Sequence, residues 1–357
     1  MSLPLGTLDG IDETGPRRLK TRKSRKGRNV LIAAAAVVLV AALVAGGYLF
    51  NLAQTFDSKT EKIVSAFPDE STRPQKVQPA GGAKAPVNIL VMGSDSRGAT
   101  ELDAVNGAAT DQRADTLMFV HIPADRKNVY AISLMRDLWV QIPGQREAKI
   151  NAALALGGVP LMVQTVESIF GQRVDHVAMV DFEGFKGLTD ALGGVEVNVG
   201  IPFTSTHGNH TFTAGVNAMN GEQALGFVRE RYSFADGDYQ RVRNQQAFMK
   251  AVIAKTINAQ TLSNPATISS VVTNISPFIS VDKGLDAATL GGLGLELNGV
   301  RQQDIAMFTL PTRGTGTSAD GQSIVLTDPN AISKISAALT EDKLGDYVAA
   351  NNFEKGN

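Results

Sequence analysis

The chain has 357 residues, 43% of them hydrophobic, with a formal charge of −1 and no cysteine. That much apolar material can bury one large core or two small ones, which excludes a disordered chain. The absent thiols exclude disulfides and thiol chemistry, a composition compatible with an exported bacterial protein.

The near-zero total hides a split. Of 34 basic and 35 acidic residues, 8 and 3 fall in the first 30, leaving 26 basic against 32 acidic in the rest. RRLKTRKSRKGR directly precedes Val30–Phe50, 21 residues without a charge, long enough as a helix to cross roughly 30 Å of hydrocarbon. By the positive-inside rule, residues 1–29 form a cytoplasmic tail, 30–50 a transmembrane helix, and the remainder lies outside a bacterial cell membrane. A cleaved signal peptide is the competing reading. The apolar run is longer than a usual signal core and ends in a poor cleavage site, which favours a retained anchor. The basic run has no periodic apolar pattern to build a nucleic-acid reading head and serves as a topology signal.

After the anchor, Leu52, Phe56, Ile63 and Phe67 recur at roughly helical spacing and predict a short membrane-proximal helix. PDESTRPQKVQPAGGAKAP then reads as a spacer, so residues 51–84 are expected to link anchor and domain. From there VNILVMG, TLMFVHIP and VYAISLM predict buried strands. LMVQTVESIF predicts a helix, HVAMVDF a strand, GFKGLTDALGG a helix closed by glycines and VEVNV a strand. A helix is expected to begin near Asp238, IAMFTLP reads as a late strand, and Asp328-Pro329 opens a last helix as N-cap and first-turn proline. Such alternation argues for a sheet covered by helices on both faces, in one domain over residues 85–345 with 346–357 as a tail.

Asp95, in GSDSR, follows the first strand and Asp115, in RADT, precedes the second. Paired strands would bring them together. Two neighbouring carboxylates repel unless a cation lies between them, and such oxygen ligands suit Mg²⁺ beside substrate phosphates. Taken alone, they read as loop aspartates at strand ends. The arginines shift that weight. Arg229 and Arg231, two apart in VRERY read as a strand, share a face; Arg241 and Gln245, four apart on a helix, share another. Arg136 ends a strand, while Arg97 and Arg113 stand beside the acids. Guanidinium groups match phosphate oxygens bidentately. Any single arginine reads more simply as a solvated surface ion pair, which suits Glu230, Asp236 and Arg243.

HGNH, His207–His210, has no third ligand nearby in its polar loop and reads as a solvated loop rather than a metal site. His121 and His176 border strands and read as structural. Phe182, Phe185, Leu188 and Leu192 recur at helical spacing, more in the manner of core than of a lipid wall. GGLGLELNG lacks the third glycine of a dinucleotide fingerprint, and there is no nucleophile elbow or Walker loop.

NILVMGSDSR, RADTLMFV, SLMRDLWVQIPG, KINAALALGG, TVESIFGQRVDH, VDFEGFKGLTDALGGVEV and VRERYSFADGDYQRVRNQQ, in this order over about residues 87–250, together resemble the LytR-CpsA-Psr family. The resemblance implies an α/β fold: a three-layer αβα sandwich with a central mixed sheet, preceded by one transmembrane helix. It implies transfer of a glycopolymer from a polyprenyl-pyrophosphate-linked precursor to a peptidoglycan acceptor, with release of polyprenyl phosphate. By position it implies that Asp95 and Asp115 hold Mg²⁺, that Arg136, Arg229, Arg231 and Arg241 grip the phosphates, and that Gln245 adds a hydrogen bond. Arg113 also matches a family arginine. Asp95, Asp115, Arg136 and Arg241 are then the catalytic set. Two departures stand out. The Asp95–Asp115 loop is longer than the family leads one to expect, so Arg97 and Asp111 are not assigned. Asn244 replaces a more usual arginine, which weakens any role for Arg243. Two alternatives remain open on the same site: a lipid pyrophosphatase in which water attacks, and a non-catalytic lipid-phosphate sensor that needs the arginines but not the metal.

Overall fold

The computed structural model describes residues 43–77, 84–95, 113–256 and 264–353, with the side chain of Asp95 excluded. The chain divides into two units, residues 1–50 and 51–357. Of the first, residues 43–50 are described; they are helical, with Leu43, Val44, Leu49 and Phe50 exposed. Most of the expected Val30–Phe50 span, and Arg97 and Asp111, lie outside the described residues.

In the second unit, runs of β-branched and aromatic residues form the strands. They are β1 (Glu61–Ile63), β2 (Val87–Asp95), β3 (Arg113–Ile122), β4 (Val129–Leu134), β5 (Trp139–Gln141), β6 (Glu147–Lys149), β7 (His176–Asp181), β8 (Val195–Val199), β9 (Phe203–Thr204), β10 (Thr211–Phe212), β11 (Gly215–Met219), β12 (Ser280–Asp282), β13 (Ile305–Thr309), β14 (Thr312–Thr317) and β15 (Ser323–Thr327). Its α-helices are α1 (Ala152–Phe170), α2 (Phe182–Ala191), α3 (Gly221–Arg229), α4 (Asp238–Thr256), α5 (Pro265–Ile275), α6 (Ala287–Glu296), α7 (Pro329–Thr340) and α8 (Leu344–Ala350). Helical residues also run through 51–59.

Seven strands form one sheet in the order β1-β12-β7-β2-β3-β4-β13. It is mixed: β2 runs antiparallel to β3 and parallel to β7, and β4 runs parallel to β13. Alternation along β3 sends Leu117 and Phe119 into the main core with Met162, Val163 and Phe170 of α1, Ile335 and Leu339 of α7, and Leu344 of α8. Met118 and Val120 point the other way, into a cluster with Met249 and Ile253 of α4. The sheet is therefore sandwiched between helical layers, as expected.

Among the described residues one helix is long and apolar enough to cross a membrane, α1, yet more than half of that span is buried. It is the central core helix. It bends where Gly157 and Gly158 leave helical geometry, ahead of Pro160. Asp328 caps α7 by accepting from the amides of Asn330 and Ala331.

Four expectations need correction. The predicted helix through Phe67 stops near residue 59. Ile63 instead belongs to β1, which pairs with β12 and buries Ile63 in the main core. Much of the expected spacer is thus part of the domain, where Arg73 reaches Glu167 at 2.8 Å and lies over the Phe67 ring. The residues after 345 do not form a simple tail, since Val348 is buried and Phe353 stacks on Phe308. Finally, Val228 and Arg229 end a helix rather than forming a strand. The Asn220-Gln223 capping box starts that helix, and local capping outweighs the β-propensity of two residues.

Candidate functional site

A cavity of about 560 Å³ opens between the sheet, α2, α3 and α4. Its inner walls are apolar, with Val91, Met118 and Val180 from the sheet, Phe182 and Phe185 from α2, Leu225 and Val228 from α3, and Phe248 and Met249 from α4. Of the stripe expected to be core, Phe185 and Leu192 do pack on a buried cluster, and Phe182 and Phe185 also line this space because α2 lies beside the cavity. Polar groups line it as well: Arg113, Asp115, Arg136, Arg229, Arg231, Arg241 and Gln245 all border the cavity.

Each of these is placed by local structure. Gly93 pairs with Thr116 and Ser94 with Ala114, so Asp115 is the extra residue of a bulge, a device that re-aims a side chain at a sheet's end. Arg136 follows β4, and its Nη1 donates to Asp115 Oδ1 at 2.6 Å. Arg229 closes α3 and lies 4.2 Å above the Phe182 ring, a cation–π contact that fixes the guanidinium over the apolar wall. Arg241 and Gln245 follow one another on the inner face of α4, where Gln245 donates to the Val228 carbonyl at 3.3 Å.

Glu230, expected in a surface ion pair, is fully buried. It accepts from the backbone amides of Thr206, Arg231, Tyr232 and Ser233 and from the Thr206 hydroxyl. Burial alone raises its pKa, but these donors prevail and hold it at about 2. It pins the turn between Arg229 and Arg231. Arg243 and Asp236 do pair near the surface, as expected. Asn244 is buried, accepts from Gln240 and donates to the Phe227 carbonyl, which joins α4 to α3. The His207–His210 loop is largely exposed, with Gly208 and Asn209 at the surface, and His207 in addition lines the cavity. Burial, then the Arg229 cation, lowers its pKa, so it is neutral near pH 7. His121 and His176 are structural, held by Asn88 and Asp342 and by Asp282.

Two acids escaped sequence reasoning as site residues. Asp137 and Asp238 both lie within 4 Å of Arg136 Nε, at 3.7 and 3.9 Å. Asp238 also lies 3.1 Å from Arg241 Nη1 and 3.7 Å from Arg231 Nη1. Their signal was position alone: Asp137 follows Arg136, and Asp238 stands one helical turn before Arg241. Burial, with the hydrogen bond to Asp137, raises Asp238 against the pull of Arg241. Burial also works to raise Asp137, but the Asp238 hydrogen bond and the Arg136 and Lys149 cations hold it below the usual range.

The charges remain incompletely paired. Arg241 is 3% exposed, and its Nε and Nη2 have no hydrogen-bond acceptor within the protein; nor has Arg136 Nε, whose neighbouring carboxylates stand beyond hydrogen-bond distance. Burial, then repulsion from Arg136, lowers the Arg241 pKa to about 10, which still leaves it cationic at neutral pH. Buried charged donors without acceptors are costly, so the site is organised for an anion. A hard cation also fits the donor chemistry. Asp115 opens on the cavity, and the backbone of Asp95 lies across from Arg113 in the β2–β3 register. Among the described residues no group of three His, Cys, Asp or Glu side chains is arranged to hold a metal ion.

Comparisons with known proteins agree with this architecture. The chain is 26% identical over 321 residues to the polyisoprenyl-teichoic acid–peptidoglycan teichoic acid transferase TagU of Enterococcus faecalis, covering 88% of this chain and 97% of that one. It is 33% identical over 248 residues to the probable cell wall biosynthesis protein LcpB of Corynebacterium glutamicum, covering 68% of this chain and 57% of LcpB. Among solved structures, the crystal structure of Bacillus subtilis TagV superposes with a TM-score of 0.62 at 26% identity, over 73% of this chain and 98% of TagV. Residues 48–341 match the LytR_cpsA_psr family, and the chain belongs to that family.

Proposed function

We propose that the protein transfers a glycopolymer from a polyprenyl-pyrophosphate-linked donor to peptidoglycan, at the outer face of the cell membrane and with Mg²⁺ bound. The observation that carries this reading is the convergence of five arginines, Asp115 and Gln245, drawn from separate elements, at the mouth of one apolar cavity. An apolar chamber with a cationic rim matches a ligand that is hydrocarbon at one end and diphosphate at the other.

The chain's residues then have distinct tasks. Phe182, Phe185, Phe248 and the methionines exclude water and hold the hydrocarbon next to the phosphates. Arg229, fixed over Phe182, and Arg241, buried on α4, neutralise phosphate oxygens without reorganising. Arg136, braced by Asp115, holds charge where the bridging oxygen leaves. Mg²⁺, held by Asp115 and Asp95, would supply further neutralisation of the diphosphate. The basic segment before Val30 keeps the N-terminus cytoplasmic and sets the domain outside.

Incubation of the purified protein with Mg²⁺, a polyprenyl-pyrophosphate glycan and peptidoglycan oligomers tests this. Expected products are glycan joined to peptidoglycan and an equal amount of polyprenyl phosphate. Chelation abolishes turnover, and Arg241→Ala lowers kcat by about 10²–10³, the usual loss for a charge-stabilising donor. Free phosphorylated glycan as the sole product would replace transfer by hydrolysis; donor binding without turnover would leave only a sensor.

A further inference from the structure

The site has a second side. Arg231 borders the apolar cavity and also a basin of about 870 Å³ between the 231–239 segment and the β14–β15 hairpin. Asp137 and Asp238 line this basin, not the apolar cavity. Its lining mixes polar groups, among them Lys149, Thr315 and Ser323, with the rings of Tyr232 and Tyr239, a combination that suits the hydroxyls and the apolar face of a sugar. Asp137 is held firmly there: its carbonyl accepts from Val325 of β15 at 2.9 Å, and its carboxylate lies 3.1 Å from Lys149 Nζ.

We propose that this basin is the acceptor subsite, and that Asp137 is the general base that takes the proton from the incoming glycan hydroxyl. The inference rests on the transferase reading above. Arg136 and Arg241, whose buried donors lack hydrogen-bond acceptors, line the apolar cavity, and Arg231 and Tyr232 border both spaces, so the proposal seats the diphosphate on these arginines where the two spaces adjoin. Hydrocarbon in the apolar chamber puts the lipid phosphate, the leaving group, on that side. Attack on phosphorus runs in line with departure, so the nucleophile arrives from the opposite side, where the basin opens. As the acceptor oxygen forms its bond to phosphorus, its O–H bond breaks and the proton passes to an Asp137 oxygen. The electron pair of the cleaved P–O bond leaves with the lipid phosphate, and water afterwards removes the proton from Asp137.

The electrostatics agree with that role. The groups facing Asp137 are Arg136 beside it, Lys149 from β6, Asp238 from α4 and, through Asp238, Arg231 and Arg241. Burial works to raise both acids, but the Asp238 hydrogen bond and the Arg136 and Lys149 cations hold Asp137 below the usual range, so it is present as the carboxylate, while Asp238 is raised. Two carboxyls whose affinities for a proton are driven apart are a recurrent basis for acid–base assignment.

Full-length protein in detergent allows binding and transfer to be measured separately, with farnesyl pyrophosphate as the binding probe. Asp137→Ala should lower transfer at least 100-fold with the probe Kd within threefold of wild type, and added formate should restore part of the rate, which it would not do for a structural defect. Thr315→Trp, on the exposed hairpin, should raise the acceptor KM at least tenfold and leave the probe Kd unchanged. Full activity in Asp137→Ala, no formate rescue, or an unaltered acceptor KM in Thr315→Trp overturns the inference while the transferase reading stands. Wild-type protein that neither binds the probe nor transfers glycan overturns both.

Discussion

At the scale of single residues, the site depends on charges that the fold holds in place before any ligand arrives. Glu230 shows this most clearly, because it is not among the residues lining the arginine-rich cavity and yet gathers four backbone amides around the turn that carries Arg229 and Arg231. Its folded pKa of about 2 lies below the usual unfolded value near 4.3. A depressed acid contributes stability that is fully present above the unfolded value and is lost as pH falls from about 4.5 towards 2. The shift corresponds to about 3 kcal/mol. Glu230→Gln should therefore lower the urea midpoint at pH 7, and the gap from wild type should narrow as pH is lowered from 5 to 3. A constant gap over that range would show that the carboxylate charge is not what holds the turn. The arginines themselves were legible from spacing and resemblance. Glu230 was not, because a Glu between two Arg in a polar run looks solvated, and only the folded turn converges four amides on it.

At the scale of elements, α2, α3 and α4 act as a rigid frame for the cationic rim. Gly221, the first residue of α3, approaches α2 so closely that an added Cβ would sit 2.5 Å from the Lys186 carbonyl oxygen. Its amide donates to Asp190 at 2.7 Å. Gly221→Ala must therefore push α3 away from α2. Such overpacking typically costs about 1–3 kcal/mol, and thermal unfolding should show a lower midpoint. Because Phe182 and Arg229 sit on the two displaced helices, probe affinity should fall as well. An unchanged midpoint would mean that the helices yield freely at this contact. Most of these elements could be read from the sequence: the buried strands of the main sheet have continuous apolar runs, and α7 has an Asp-Pro start. VRERY was misread because period-two reasoning cannot tell a strand from the last turn of a helix over five residues. β1 was missed because three residues carry no period at all; they become a strand only because β12 offers an edge. The bulge at Asp115 leaves no trace in composition either, though it decides where the carboxylate points.

At the scale of the whole molecule, the same chain carries an arginine-lined apolar cavity and a long apolar segment, Val30–Phe50, that follows a dense basic run. A polyprenyl substrate stays in the bilayer by its own hydrocarbon, so an enzyme tethered to the same surface meets it at high effective concentration. On the proposed topology the tether also decides on which side the arginines meet their ligand, and by the positive-inside rule the excess of Lys and Arg before Val30 would put them outside. The absence of cysteine makes this orientation directly measurable. Single substitutions Ser24→Cys, in the basic run, and Thr317→Cys, on exposed β14, each introduce the chain's one thiol. In bacterial spheroplasts treated with a membrane-impermeant maleimide, Thr317→Cys should label at once and Ser24→Cys only after lysis. Equal labelling before lysis, or recovery of the protein in the soluble fraction, would rule out a retained anchor with this orientation.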